Sequence, residues 1–156
     1  MIQQKLYETD FNIWLTETIN QLKTGQFQAL DLNNLIEELE NLGKSDKTVL
    51  ESNLMILLAH LLKLKIQSNV PDTMKISWYN SVIEHRKRIQ KQMAKMPSLK
   101  SYLPTVLTET YQDGRELAIK ESKFAKYGIY IPNESDYPEI CPFTMEQILD
   151  EDFYGC

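Results

Sequence analysis

The sequence predicts an all-α fold, a roughly five-helix up-and-down bundle with a short C-terminal helix after a proline-containing crossing loop. Three observations carry that expectation. Apolar residues recur at three- and four-residue spacing through most of the chain, the period of helices that bury one face. The five glycines and six prolines fall mostly between those periodic stretches. Residues able to cap a helix stand where the stretches begin. The whole chain, 1–156, reads as one helical domain, since its length suits one continuous core.

The first helix is expected over 10–24, opened by Thr9 or Asp10, striped by Phe11, Trp14, Leu15, Thr18 and Leu22, and ended by Gly25. The second, 31–42, places Leu32, Leu35, Ile36, Leu39 and Leu42 on its apolar side, with Gly43 as its stop. Ser45 or Asp46 caps a third over 46–68, and such short connections imply antiparallel neighbours. This third helix is apolar almost all round between Leu54 and Leu64, which belongs at the centre of a bundle. Pro71 marks the break after it.

The fourth helix, 74–96, lines up Trp78, Val82, His85, Ile89, Met93 and Met96. The fifth, 99–122, tolerates Pro104 in its first turns and carries Gly114 within its stripe, which predicts close contact with a neighbouring helix. From Lys123 to Phe143 periodicity fails and Pro132, Pro138 and Pro142 appear, so a crossing loop is expected, with a short extended piece at Ile129-Tyr130-Ile131. Phe124, Tyr127, Tyr130 and Tyr137 are expected to pack that loop down. Thr144 and Gln147 then have the spacing of a capping box, and Phe143 with Ile148 that of a hydrophobic staple, for a final helix over 145–150.

Hydrophobic residues make up 42% and charged residues 25%, a globular balance that excludes wholesale disorder. The longest apolar stretch, Leu54–Leu62, is interrupted by His60 and followed by Lys63, far short of the roughly 20 apolar residues of a membrane span. The start lacks the features of a signal peptide, so a cytoplasmic location and no membrane partner are expected. Cys141 and Cys156 read as free thiols in a reducing compartment.

The net charge of −5 is unevenly placed. Residues 84–100 hold Arg86, Lys87, Arg88, Lys91, Lys95 and Lys100 against only Glu84, whereas from 127 onward there are seven carboxylates and no Lys or Arg. Such asymmetry fits a nucleic-acid face with an acidic tail, or a basic helix beside acidic segments of its own bundle. An acidic whole repels phosphate at long range, which favours the second account and disfavours nucleic acid as a partner.

Several phrases together resemble a known family. They are Tyr7-x-x-Asp10-Phe11-x-x-Trp14-Leu15, Leu30-Asp31-Leu32-x-Asn34-Leu35-Ile36-Glu37-Glu38-Leu39-Glu40-x-Leu42-Gly43-x-Ser45, Leu57-Leu58-Ala59-His60-Leu61-Leu62-Lys63, Trp78-x-x-Ser81-Val82-Ile83-Glu84-x-Arg86 and Cys141-Pro142-Phe143-Thr144-x-Glu146-Gln147-Ile148-Leu149-Asp150-Glu151-Asp152-Phe153. Across roughly 7–153 the chain resembles domain of unknown function family 29, small helical proteins associated mainly with cyanobacteria. The resemblance implies a bacterial, all-helical bundle, and supplies no activity, cofactor or catalytic residue. Where the family phrase commonly reads Glu-Gln-Arg, this chain has Glu84-His85-Arg86.

Three sets of residues are candidates for chemistry. Glu38 and Glu40 flank the leucine stripe of their helix, where boundary carboxylates ordinarily pair with a Lys or Arg of a neighbouring helix; Glu37 points to solvent. His60, in an apolar run, needs an acceptor for its N–H, and Glu38 is a natural one. With His85 and Glu38 or Glu40 it forms the candidate ligand set for a divalent metal in a bundle core. The Glu-x-x-His pairs of di-iron bundles are absent, as are the common nucleophile and nucleotide-binding motifs. The third set is a basic face of Arg86, Lys87, Arg88, Lys91 and Lys95, which lacks the aromatic interleaving of single-strand binders.

The leading expectation is a non-enzymatic cytoplasmic interaction or accessory protein, its partners other proteins or a second copy of itself. A metal-binding helical-bundle enzyme using His60, His85, Glu38 and Glu40 is the alternative, and a nucleic-acid-associated regulatory module using helix 84–96 is the third reading.

Overall fold

Asp10 opens the expected first helix and separates it from an earlier one that the apolar period does not predict. Its carboxylate accepts the Ile13 N–H at 3.1 Å and caps α2, Phe11–Thr24, while α1, Ile2–Thr9, precedes it. No apolar stripe announced α1, and the helix buries none of its residues. The computed structural model describes residues 2–124 and 131–156. The extended piece expected at 129–131, and Tyr127 and Tyr130 with it, lie outside these residues except for Ile131, which is exposed.

The helix α3, Leu32–Ile66, runs unbroken through Gly43, where the sequence predicts a stop. Gly costs about 1 kcal/mol against Ala inside a helix. A break here would strand unpaired backbone groups at two new helix ends, so continuity wins. After Pro71 comes α4, Asp72–Lys95, then α5, Leu99–Ser122, and the short α6, Met145–Leu149. Among the described residues there is no strand, and no helix is long and apolar enough to cross a membrane. The fold is all-α.

The chain divides into two compact units, Met1–Asp46 and Lys47–Cys156. The core of the second is built on the all-apolar stretch of α3. Leu50, Leu54, Leu57, Leu58, Leu61 and Leu62 are wholly buried there, with Val82 and Ile89 of α4, Leu103 and Ala118 of α5 and Ile148 of α6. Gly114 of α5 meets α3 at close range, as its place in the stripe predicts. A Cβ there would lie 2.9 Å from the Met55 carbonyl oxygen and 3.2 Å from Leu58 Cβ. Gly155, at φ +95°, makes a second such approach, 2.7 Å from the Leu61 carbonyl oxygen.

The proline-containing segment is held down by polar contacts from its neighbours. Tyr111 donates to the Pro138 carbonyl at 2.5 Å, Arg115 to those of Tyr137 and Glu134, and Gln67 to the Tyr137 hydroxyl at 2.9 Å. Tyr137 is buried as expected, but Phe124 is largely exposed. Thr144 and Gln147 form the expected capping box at α6.

Candidate functional site

The N-terminal unit is organised by aromatic side chains holding the polar edge of α3. Trp14, fully buried, donates its indole N–H to Asp31 Oδ2 at 3.3 Å, and the Asn34 amide donates to the same oxygen at 2.7 Å. Tyr7 donates its hydroxyl to Glu38 Oε1 at 2.6 Å. The Tyr7, Phe11 and Trp14 rings cluster with centroids 5.0–5.9 Å apart. The hydrogen bond to Glu38, then burial and the nearby Glu37, push the Tyr7 phenol up to about 12.

This arrangement turns the leucine stripe away from the unit's own contacts. At about 100° per residue, Leu32, Ile36, Leu39 and Gly43 share one line, while Asp31 and Glu38 lie about 120° round the helix. Leu32, Ile36, Leu39 and Leu42 are accordingly 51–63% exposed, and only Leu35 is partly covered. The stripe expected on α2 is likewise open: Trp14 and Thr18 are buried, but Phe11, Leu15 and Leu22 are not. Burying an apolar side chain of this size contributes roughly 1.5–3 kcal/mol, so a whole stripe left in water is an unmet opportunity.

The metal candidates fall in different units, Glu38 and Glu40 in the first and His60 and His85 in the second. Glu38 is taken by Tyr7, not by a Lys, an Arg or His60, and Glu40 is exposed. The two imidazoles do meet, on α3 and α4, around Ser81: its hydroxyl lies 3.3 Å from His60 Nδ1 and 3.2 Å from His85 Nδ1. Each Nδ1 also lies 2.8 Å from a carbonyl oxygen one turn back, Ile56 for His60 and Ser81 for His85. These carbonyls can only accept, so each Nδ1 carries a proton and donates it. Burial lowers the pKa of His60, and Lys63 and His85 lower it further against the backbone bond. Among the described residues, no group of three or more His, Cys, Asp or Glu is placed to hold a metal ion.

Arg86 does not belong to the basic face. It is 2% exposed, its Nε donates to the Ile148 carbonyl at 2.8 Å, a terminal nitrogen donates to that of Phe153 at 2.7 Å, and it sits over the Tyr154 ring. The face that remains is Lys87, Arg88, Lys91 and Lys95, all exposed, with Arg88 paired to Glu84 at 2.5 Å.

The family model for the domain of unknown function DUF29 matches residues 6–154. The chain belongs to this family. No curated protein and no solved structure matches it.

One feature of this DUF29 chain is nearly indistinguishable in sequence from an ordinary surface charge. Lys63 is 5% exposed, its ammonium touching the Glu121 carboxylate and lying 5.6 Å from the Trp78 ring centroid. Burial lowers its pKa to about 8. Its place in an apolar run of α3 was the available clue. The aromatic grip on Asp31 and Glu38 has no local signature either: Tyr7 precedes the first expected helix, and the spacing of Trp14 marks only its apolar face.

Proposed function

We propose that this protein is a non-enzymatic accessory protein of the bacterial cytoplasm that binds another protein through the exposed apolar stripe of its N-terminal unit. The supporting observation is that Leu32, Ile36, Leu39 and Leu42 are all more than half exposed on one helix. Scattered surface apolar residues are ordinary, but an aligned row of large ones is a mark of an interaction site. A unit of 46 residues has little interior of its own, and here only Trp14 and Thr18 are buried in its helices. Helix-in-groove recognition uses just such anchors spaced by three and four residues. The unpaired Cys141 and Cys156 suit a reducing compartment.

The test is affinity purification from the native host with the wild-type chain and with an Ile36→Glu/Leu39→Glu variant. The proposal expects a specific partner held by the first and lost by the second. The same set of proteins with both, or none with either, would refute it.

A further inference from the structure

Resting on that reading of the stripe, we infer that the partner presents a basic amphipathic helix, apolar on one side and flanked by Lys or Arg. The charge of the N-terminal unit selects this occupant. It carries eight Asp and Glu against three Lys, so the entire net charge of −5 resides in its 46 residues, and the second unit is neutral. Glu40 stands exposed at one border of the stripe with Glu37 beyond it. A partner helix seated on Leu32, Ile36 and Leu39 meets these carboxylates along its edge, which steers a basic segment in and an acidic one away.

The geometry fits one helix. From Leu32 to Gly43 the line is about 17 Å long, at about 1.5 Å per residue. Leu35 and Leu42 border it, so Leu32, Leu35, Leu39 and Leu42 repeat at the three- and four-residue steps of a coiled-coil seam. Beyond the helix's own backbone and its chain neighbours, no heavy atom lies within 4 Å of the Gly43 Cβ position, which leaves a flat place for a crossing backbone.

Other occupants fit less well. A second copy would bring another unit of net charge −5 against the first, with no Lys or Arg along the seam between Leu32 and Leu42. An anionic lipid surface would be repelled by the same carboxylates.

The full chain tests this directly with two synthetic 18-residue helical peptides, one with Leu and Lys at heptad spacing and one with Glu in place of each Lys. Fluorescence anisotropy is expected to show the Leu/Lys peptide binding at least about tenfold more tightly. Leu39→Glu should abolish that binding at unchanged helicity by circular dichroism. Glu37→Lys/Glu40→Lys should reverse the peptide preference while keeping the stripe. Equal binding of both peptides, sensitive to Leu39→Glu, overturns the basic partner but leaves the docking stripe standing. Binding that is indifferent to Leu39→Glu overturns both. A dimer by light scattering that Leu39→Glu converts to monomer assigns the face to a second copy and overturns the inference.

Discussion

The Tyr7 hydroxyl donates to Glu38 Oε1 at 2.6 Å, joining α1 to the polar edge of α3. With Trp14 on Asp31 it makes the N-terminal unit a polar clasp and leaves the leucines of the same helix facing outward. Hydrogen bonds fix direction, which nonspecific apolar packing does not, so this pair decides which face of α3 is available.

Tyr7 should therefore titrate late. Its proton is held by the bond to Glu38, and its folded pKa is raised from 10.0 to about 12. The associated stability is fully present below pH 10 and is lost as pH rises through about 12, because the folded state retains a proton that the unfolded chain has released. The phenolate absorbance difference between wild type and Tyr7→Phe should show its step near pH 12. A step near 10 would count against the bond.

Arg86 is expected to be a fastener of the C-terminal segment. Its two bonds to the Ile148 and Phe153 carbonyls are charge-assisted, and its removal leaves both acceptors unpaired. Arg86→Ala should cost about 2–4 kcal/mol, and Arg86→Lys, lacking the planar fork, should recover only part of it. Hydrogen exchange should quicken first at 148–153. Unchanged protection there would argue that α6 is held by packing alone.

The sequence was most informative where burial is complete and periodic. The all-apolar run of α3 placed the core, Gly114 marked a close helix contact, and Thr144 and Gln147 located α6. It was least informative in the N-terminal unit. Phe11, Leu15, Leu32 and Ile36 have the spacing of a buried face, but periodicity reports which residues share a side and not what covers that side. Arg86 reads as part of a basic face for a related reason: its neighbours Lys87 and Arg88 are solvated, and only tertiary context distinguishes the arginine that turns inward. Glu38 reads as a partner for His60, since nothing in local spacing shows that Tyr7, 31 residues earlier, reaches it.

Lys63 should weaken the fold below its unfolded pKa. Burial lowers its folded value from 10.5 to about 8, so between these pH values the unfolded chain holds more protons and stability rises with pH. The rise should be on the order of 1–3 kcal/mol and absent in Lys63→Met, which should be neutral or stabilising at pH 7. Chemical denaturation of both proteins from pH 7 to 10.5 measures it. A loss above about 2 kcal/mol for Lys63→Met at pH 7 would show that the Glu121 pair outweighs desolvation.

His60 has the acidic counterpart. Burial, with Lys63 and His85 facing it, lowers its pKa below 6.5, so the stability it contributes is present above pH 6.5 and lost as pH falls through the folded value. Proton NMR of the His60 ring should give a midpoint below 6.5. A midpoint above that value would require a carboxylate partner, such as the Glu38 pairing that the sequence favours.

Whether water or protein covers the stripe is read from the stability of Ile36→Glu/Leu39→Glu. Substitutions on a solvated surface usually stay within about 0.5 kcal/mol each, so urea denaturation of the variant should differ from wild type by no more than about 1 kcal/mol. A loss of about 3 kcal/mol or more would mean that two carboxylates had been forced into a packed interior, and that the stripe is core and not a docking face.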